Sequence, residues 1–123
     1  MDENEIELIE MSSFDSLENL TELDLSTNKI KLIQNGLFKN LNKLEKLWLQ
    51  KNEFELIEMN SFDSVKNLKL LCLHTNKIKL IKNGYFRNQN RLEQLWLQDN
   101  EIESIEMNSL DTLTLILNFI VSY

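Results

Sequence analysis

Nine residues of this chain occur almost twice over. Leu44-Glu45-Lys46-Leu47-Trp48-Leu49-Gln50-Lys51-Asn52 returns 48 residues later as Leu92-Glu93-Gln94-Leu95-Trp96-Leu97-Gln98-Asp99-Asn100. Halfway between them lies Leu68-Lys69-Leu70-Leu71-Cys72-Leu73-His74-Thr75-Asn76, and 24 residues before the first lies Leu20-Thr21-Glu22-Leu23-Asp24-Leu25-Ser26-Thr27-Asn28. A fixed 24-residue period marks an array, which restricts the fold more than composition does. Each unit has to bury its apolar face against its neighbours.

Aligned on the period, Leu20, Leu44, Leu68, Leu92 and Ile116 open the unit. Leu23, Leu47, Leu71, Leu95 and Phe119 follow three places on, and Leu25, Leu49, Leu73, Leu97 and Val121 two places later. Then come Asn28, Asn52, Asn76 and Asn100, next Ile30, Phe54, Ile78 and Ile102, next Ile33, Ile57, Ile81 and Ile105. A phenylalanine file, Phe38, Phe62 and Phe86, ends in Leu110. Residues 1–19 fit the frame without its first segment, placing Asn4, Ile6, Ile9, Phe14 and Leu17. The expected organisation is one array over 1–123: a partial repeat at 1–19, full repeats at 20–43, 44–67, 68–91 and 92–115, and the start of another at 116–123. Apolar Leu47 and Leu49 on either side of Trp48 carry the period-two signature of a half-buried strand. A strand this short cannot bury its own apolar face, so the repeats must stack as a solenoid with parallel strands.

The pattern L-x-x-L-x-L-x-x-N-x-I-x-x-I-x-x-x-x-F-x-x-L resembles the leucine-rich repeat, in the 24-residue form of extracellular and receptor-ectodomain proteins, over essentially the whole chain. The resemblance implies an α/β-class, right-handed solenoid of about five repeats, with a parallel sheet on the concave face and loops and short helical turns on the convex side. It also implies that each asparagine turns inward at the strand exit and bonds backbone groups of the turn. In function it implies a protein-binding module, not an enzyme, forming part of an extracellular or cell-surface receptor, adhesion or innate-immune protein. The other reading is a structural spacer or dimerisation segment of a longer solenoid.

Composition sets limits on partners. A net charge of −7 argues against nucleic acid and anionic membranes, which call for a basic stripe. The apolar tail Leu113–Tyr123, interrupted by Asn118, is too short to cross a bilayer, so no membrane insertion is expected. The N-terminal residues lack the basic start and apolar core of a signal peptide. Lone Cys72 cannot form an intrachain disulfide and so does not report the compartment. Asn19-Leu20-Thr21 is an N-x-T sequon, weak support for secretion.

A 48-residue period overlies the first: residues 44–63 and 92–111 agree at 15 of 20 places, and 27–40 agree with 75–88 at 11 of 14. What alternates is charge. Glu5, Lys29, Glu53, Lys77 and Glu101 share one position, Glu7, Lys31, Glu55, Lys79 and Glu103 another, and Asp15, Lys39, Asp63, Arg87 and Asp111 a third. Stacking sets each acid between two bases, a structural ladder more readily than a recognition surface, because alternation cancels the field a partner could read. Leu8, Leu32, Leu56 and Leu80 form a further apolar stripe, which either packs on the neighbouring turn or makes a lateral contact surface. Gln89 stands where Leu17, Leu41 and Val65 close other repeats, which predicts a loosely packed corner.

Within a leucine-rich solenoid the outward strand residues line the concave face. These are Glu22, Lys46, Leu70 and Gln94 in one file, Asp24, Trp48, Cys72 and Trp96 in the next, and Ser26, Gln50, His74 and Gln98 in the third. Asn118, Ile120 and Ser122 continue them. The candidate partner-binding residues are Glu22, Asp24, Lys46, Trp48, Gln50, Leu70, Cys72, His74, Gln94, Trp96 and Gln98. Two exposed tryptophans flanking an apolar strip make a plausible hot spot; inheritance from a copied repeat is the other explanation. Cys72 and His74 share a strand face, but the neighbouring side chains offer no further good ligands, so neither a metal nor a cofactor is expected. A catalytic pair is disfavoured too, since no orienting carboxylate or oxyanion donor accompanies it. Gly36 and Gly84 are equivalent turn positions, not a phosphate loop. Finally, apolar Ile116, Phe119 and Val121 continue the core files to the last strand, which predicts self-association through that C-terminal edge.

Overall fold

The computed structural model describes residues 5–107, 109 and 118–120, the last three as backbone. The described residues form nine short strands in order: β1 Glu22–Asp24, β2 Leu32–Ile33, β3 Lys46–Trp48, β4 Leu56–Ile57, β5 Leu70–Cys72, β6 Leu80–Ile81, β7 Gln94–Trp96, β8 Ser104–Ile105 and β9 Asn118–Ile120. Strands β1, β3, β5, β7 and β9 form one sheet in sequence order, every pair parallel. The register equals the sequence period: Leu23 faces Leu47, Leu47 faces Leu71, and Leu71 faces Leu95. This is the parallel-stranded solenoid that the repeat pattern predicts. Expectations resting on Asn4, Leu110, Asp111, Leu113, Ile116, Val121 and Ser122, and on the side chains of Asn118, Phe119 and Ile120, lie outside the described residues.

Inside the solenoid the apolar files close a single core of leucines, isoleucines and phenylalanines. Phe14, Phe38, Phe62 and Phe86 stack in a row, with centroids 6.3, 6.2 and 6.1 Å apart and planes within 19° of parallel. Each strand exit is built in the same way. Thr27, Lys51, Thr75 and Asp99 adopt positive φ of 57–59°, an uncommon conformation for a side chain with a Cβ, and the asparagine that follows turns inward. Asn76 is 7% exposed; its Nδ2 donates to Leu73 O at 3.0 Å and to Leu49 O of the preceding repeat at 3.1 Å, and its Oδ1 accepts from Phe54 N at 3.1 Å. Asn52 repeats these contacts one turn earlier, and Asn100 one turn later. Each amide thus joins two repeats, and its oxygen satisfies a backbone N–H that would otherwise lack a partner.

On the convex side the described residues form the expected loops and short turns, closed by successive i to i+3 bonds such as Leu37 N to Gln34 O, Lys39 N to Gly36 O and Leu41 N to Phe38 O. The convex side differs from the sequence expectation at Gln89, expected to loosen its corner. It is buried to 1% exposure, and its Nε2 donates to Phe62 O at 2.6 Å. The long amide fills the leucine site and reaches the previous turn, although its Oε1 is buried without a donor.

The charge alternation corresponds to two kinds of step between repeats. From a lysine-bearing repeat to the following glutamate-bearing one, the convex backbones pair: β2 with β4 and β6 with β8. Glu53 N, Glu55 N and Glu58 N donate to Ile30 O, Lys31 O and Ile33 O, and Glu58 Oε1 accepts from Asn35 N at 2.8 Å. Glu106 does the same for Asn83 N. From a glutamate-bearing repeat to the next lysine-bearing one, the described convex backbone makes a single such bond, Lys77 N to Phe54 O or its equivalent Lys29 N to Ile6 O. There side chains take over. Lys29 pairs with Glu5, Lys39 with Asp15, Lys77 with Glu53 and Arg87 with Asp63. The Met11 methyl lies 3.2 Å from where a Cβ on Gly36 would sit, and the Met59 methyl 3.0 Å from that of Gly84. Both glycines have φ of 90° or more. The leucine stripe alternates as well: Leu32 and Leu80 are half-buried, whereas Leu8 and Leu56 are 70% and 49% exposed.

Candidate functional site: the concave sheet

The strand register brings the predicted residues into files. Glu22, Lys46, Leu70 and Gln94 stand side by side, as do Asp24, Trp48, Cys72 and Trp96. Beyond the strand ends Thr27 N, Lys51 N and Thr75 N donate to Gln50 O, His74 O and Gln98 O, which holds the third file together. Trp48 and Trp96 sit two strands apart, about 10 Å at ordinary strand spacing, with Cys72 between them.

Several of these residues are less available than the sequence suggests. The tryptophans are half-buried. Cys72 is 7% exposed, because the neighbouring strands each set a large indole beside its small side chain; it contributes little contact area. Burial, with a smaller effect from Asp24, pushes its thiol up to about 11, so it stays protonated and unreactive at neutral pH. Ser26 is also buried. Asp24 spends its carboxylate locally, accepting from Ser26 N at 2.9 Å and Ser26 Oγ at 2.6 Å. Glu22 and Lys46 form an ion pair at 3.6 Å. The concave sheet is therefore close to neutral within a chain of net charge −7.

Its polar groups fall into satisfied and open ones. Trp96 donates its indole N–H to Gln94 Oε1 at 3.0 Å, a partnership that the sequence reading missed, although the two-residue spacing on one strand face is its signal. Trp48 has Lys46 at the equivalent place, a donor, so no such acceptor is available. Gln50 Oε1 and Gln98 Oε1 are buried without a donor, one on each side of His74. The His74 Nδ1 lies 2.9 Å from Thr75 Oγ1. Burial and then Lys51 hold its pKa below the usual histidine value, partly offset by Asp99, so the ring is neutral at physiological pH.

Other surfaces offer less. A depression of about 490 Å³ beside the convex turns is lined by Asn42, Asp63, Ser64, Lys66, Asn67 and Asn88, but Asp63 is engaged by Arg87 and the Asn67 amide by Asn42 O. Among the described residues no group of three or more His, Cys, Asp or Glu is placed to hold a metal ion, and no helix is long and apolar enough to cross a membrane.

A solenoid of parallel strands with an inward-turned asparagine at each described exit defines a class, and comparison with known proteins identifies it. The family model described as leucine rich repeat matches residues 1–54, 20–78 and 42–102; the chain belongs to the leucine-rich repeat family. No curated protein sequence matches it significantly. Among solved structures it is similar to a TLR13–ssRNA13 complex, at 30% identity and a TM-score of 0.87 over 94% of this chain and 17% of that one. It is similar in fold to the APL1 leucine-rich repeat domain, at 22% identity and a TM-score of 0.88 over 99% of this chain and 32% of that one. The same holds for the Drosophila Toll–Spatzle complex, at 23% identity and a TM-score of 0.83 over 93% and 15%. The chain spans between 15% and 35% of the length of these and similar solved chains.

Proposed function

We propose that this chain is a protein-recognition segment of an extracellular or cell-surface leucine-rich repeat protein, and that its partner docks on the concave sheet around Trp48 and Trp96. The observation that carries this reading is a near-neutral face with two half-buried tryptophans at its centre, beside which the oxygens of Gln50 and Gln98 have no donor within the chain. Large aromatics with a polar handle dominate protein interfaces. A neutral face suits a protein better than a nucleic acid, which would require cations. Three of the similar solved structures are complexes, TLR13 with ssRNA13, Toll with Spatzle and LRIM1 with APL1C; the latter two support protein-partner binding in receptor or innate-immune proteins.

One observation favours the alternative of a spacer or dimerisation segment. The Trp96 indole is satisfied internally and Cys72 is covered, so the aromatics also serve as a lid on the sheet. The two readings separate on a Trp48→Ala/Trp96→Ala double variant. Recognition predicts that a protein retained by the immobilised chain from extracellular fluid is held at least about 30-fold more weakly, roughly 2 kcal/mol, with the melting temperature little changed. A lost melting temperature with retention intact would assign the tryptophans to structure.

A further inference from the structure

We propose that the convex face of this chain binds a second copy of itself in antiparallel orientation, with the two-fold axis passing between the repeats that carry Lys31 and Glu55. The face holds two features that the single chain leaves unused. Leu8 and Leu56 are 70% and 49% exposed, and Met11 and Met59, three residues further along the chain, 40% and 38%. Alongside runs a file of exposed charges, Glu7, Lys31, Glu55, Lys79 and Glu103. The other alternating files close ion pairs within the chain; among the described residues this one closes none.

Symmetry decides what such a file fits. In a two-fold dimer the file runs antiparallel against its own copy. An axis through the middle of a repeat sets every glutamate against a glutamate and every lysine against a lysine. An axis between two repeats sets every charge against its opposite. The file is therefore self-complementary in the second arrangement alone, and like charges placed opposite one another disfavour the first.

Two gaps between repeats remain that keep four charges facing four, and the leucines choose between them. With the axis between Lys31 and Glu55, Glu7 meets Lys79 of the other copy and Lys31 meets Glu55, while Leu8 meets Leu80 and Leu32 meets Leu56. With the axis between Glu55 and Lys79, Leu32 would face Ser104, the one polar residue at this position in the described repeats. Charge and apolar pattern thus select the same register. The equal spacing of repeats in both copies keeps all pairs in step along the face. This inference is independent of the concave-face reading, since it concerns the opposite side of the solenoid.

Sedimentation equilibrium on the 123-residue chain and three samples of variants tests it. Wild type is expected to dimerise at roughly 100 μM, the range of a small interface. Lys31→Glu alone and Glu55→Lys alone should each weaken the dimer about tenfold or more, because each places two like-charged pairs across the axis. An equimolar mixture of the two variants should recover the wild-type affinity, since the new carboxylate at position 31 of one then faces the new ammonium at position 55 of the other. A monomeric wild type overturns the proposal. So does a dimer indifferent to both substitutions, or a mixture no tighter than the single variants, either of which would place the contact elsewhere.

Discussion

Along the concave sheet Leu23, Leu47, Leu71 and Leu95 face one another across parallel strands at each step, and the asparagines behind them repeat the same bonds. Along the convex side, backbone pairing occurs between 32–33 and 56–57 and between 80–81 and 104–105, but not between 56–57 and 80–81. The two sides of one molecule thus have different structural repeats, 24 residues in front and 48 behind. The difference shows that a solenoid needs one continuous ladder to fix its spacing. Once the sheet supplies that, the other side is free to alternate between main-chain and side-chain contacts.

The largest expected effect tests the uniform side. Asn52→Ala and Asn76→Ala should each cost about 2–3 kcal/mol in chemical denaturation, since each orphans one buried backbone N–H, of Ile30 or Phe54, and removes one of the two bonds at each of two carbonyls, and the two costs should agree within about 1 kcal/mol although the residues lie in different repeat types. Unequal costs would extend the alternation to the strand exits.

Gly84→Ala probes the side-chain step. Its φ of 97° strains any residue with a Cβ, so a loss of about 1–2 kcal/mol is expected. Because the Met59 methyl is a flexible tip, a Met59→Ala background should recover little of it; full recovery would show that crowding, and not the backbone, sets the cost.

Hydrogen exchange reads the alternation directly. Lys79 N and Lys82 N lack the main-chain partners that Glu55 N, Glu58 N, Glu103 N and Glu106 N possess. They should exchange at least about tenfold faster. Equal protection would mean that the convex seam before residue 80 closes in solution, and the contrast between steps would disappear.

The smallest effect is a gain. Gln89→Leu removes a buried oxygen without a donor, and Phe62 O keeps its bond from Val65 N. Stability should rise by up to about 1 kcal/mol. A loss would show that the amide bridge to the previous turn outweighs its orphaned oxygen.

Much of the fold was legible because periodicity is a tertiary statement written locally. Once Leu47 and Leu95 are seen to be copies, their strands have to stack in register, and the inward leucines, the phenylalanine row and the asparagine ladder follow from that spacing. The charge files were legible as well, and so was the composition of the concave face. What the sequence alone could not supply was which neighbour each side chain chooses. Lys77 has an acid one repeat before it and one repeat after, at equal sequence distance, and turns to Glu53 before it; Glu58 reaches back to the Asn35 amide. Burial of Cys72 between two indoles and of Gln89 within an apolar corner likewise depends on what the adjacent repeats place around them. The 24-residue period determined that the chain stacks; only packing in three dimensions, where each side chain has two neighbours and room for one partner, decided how each step is joined.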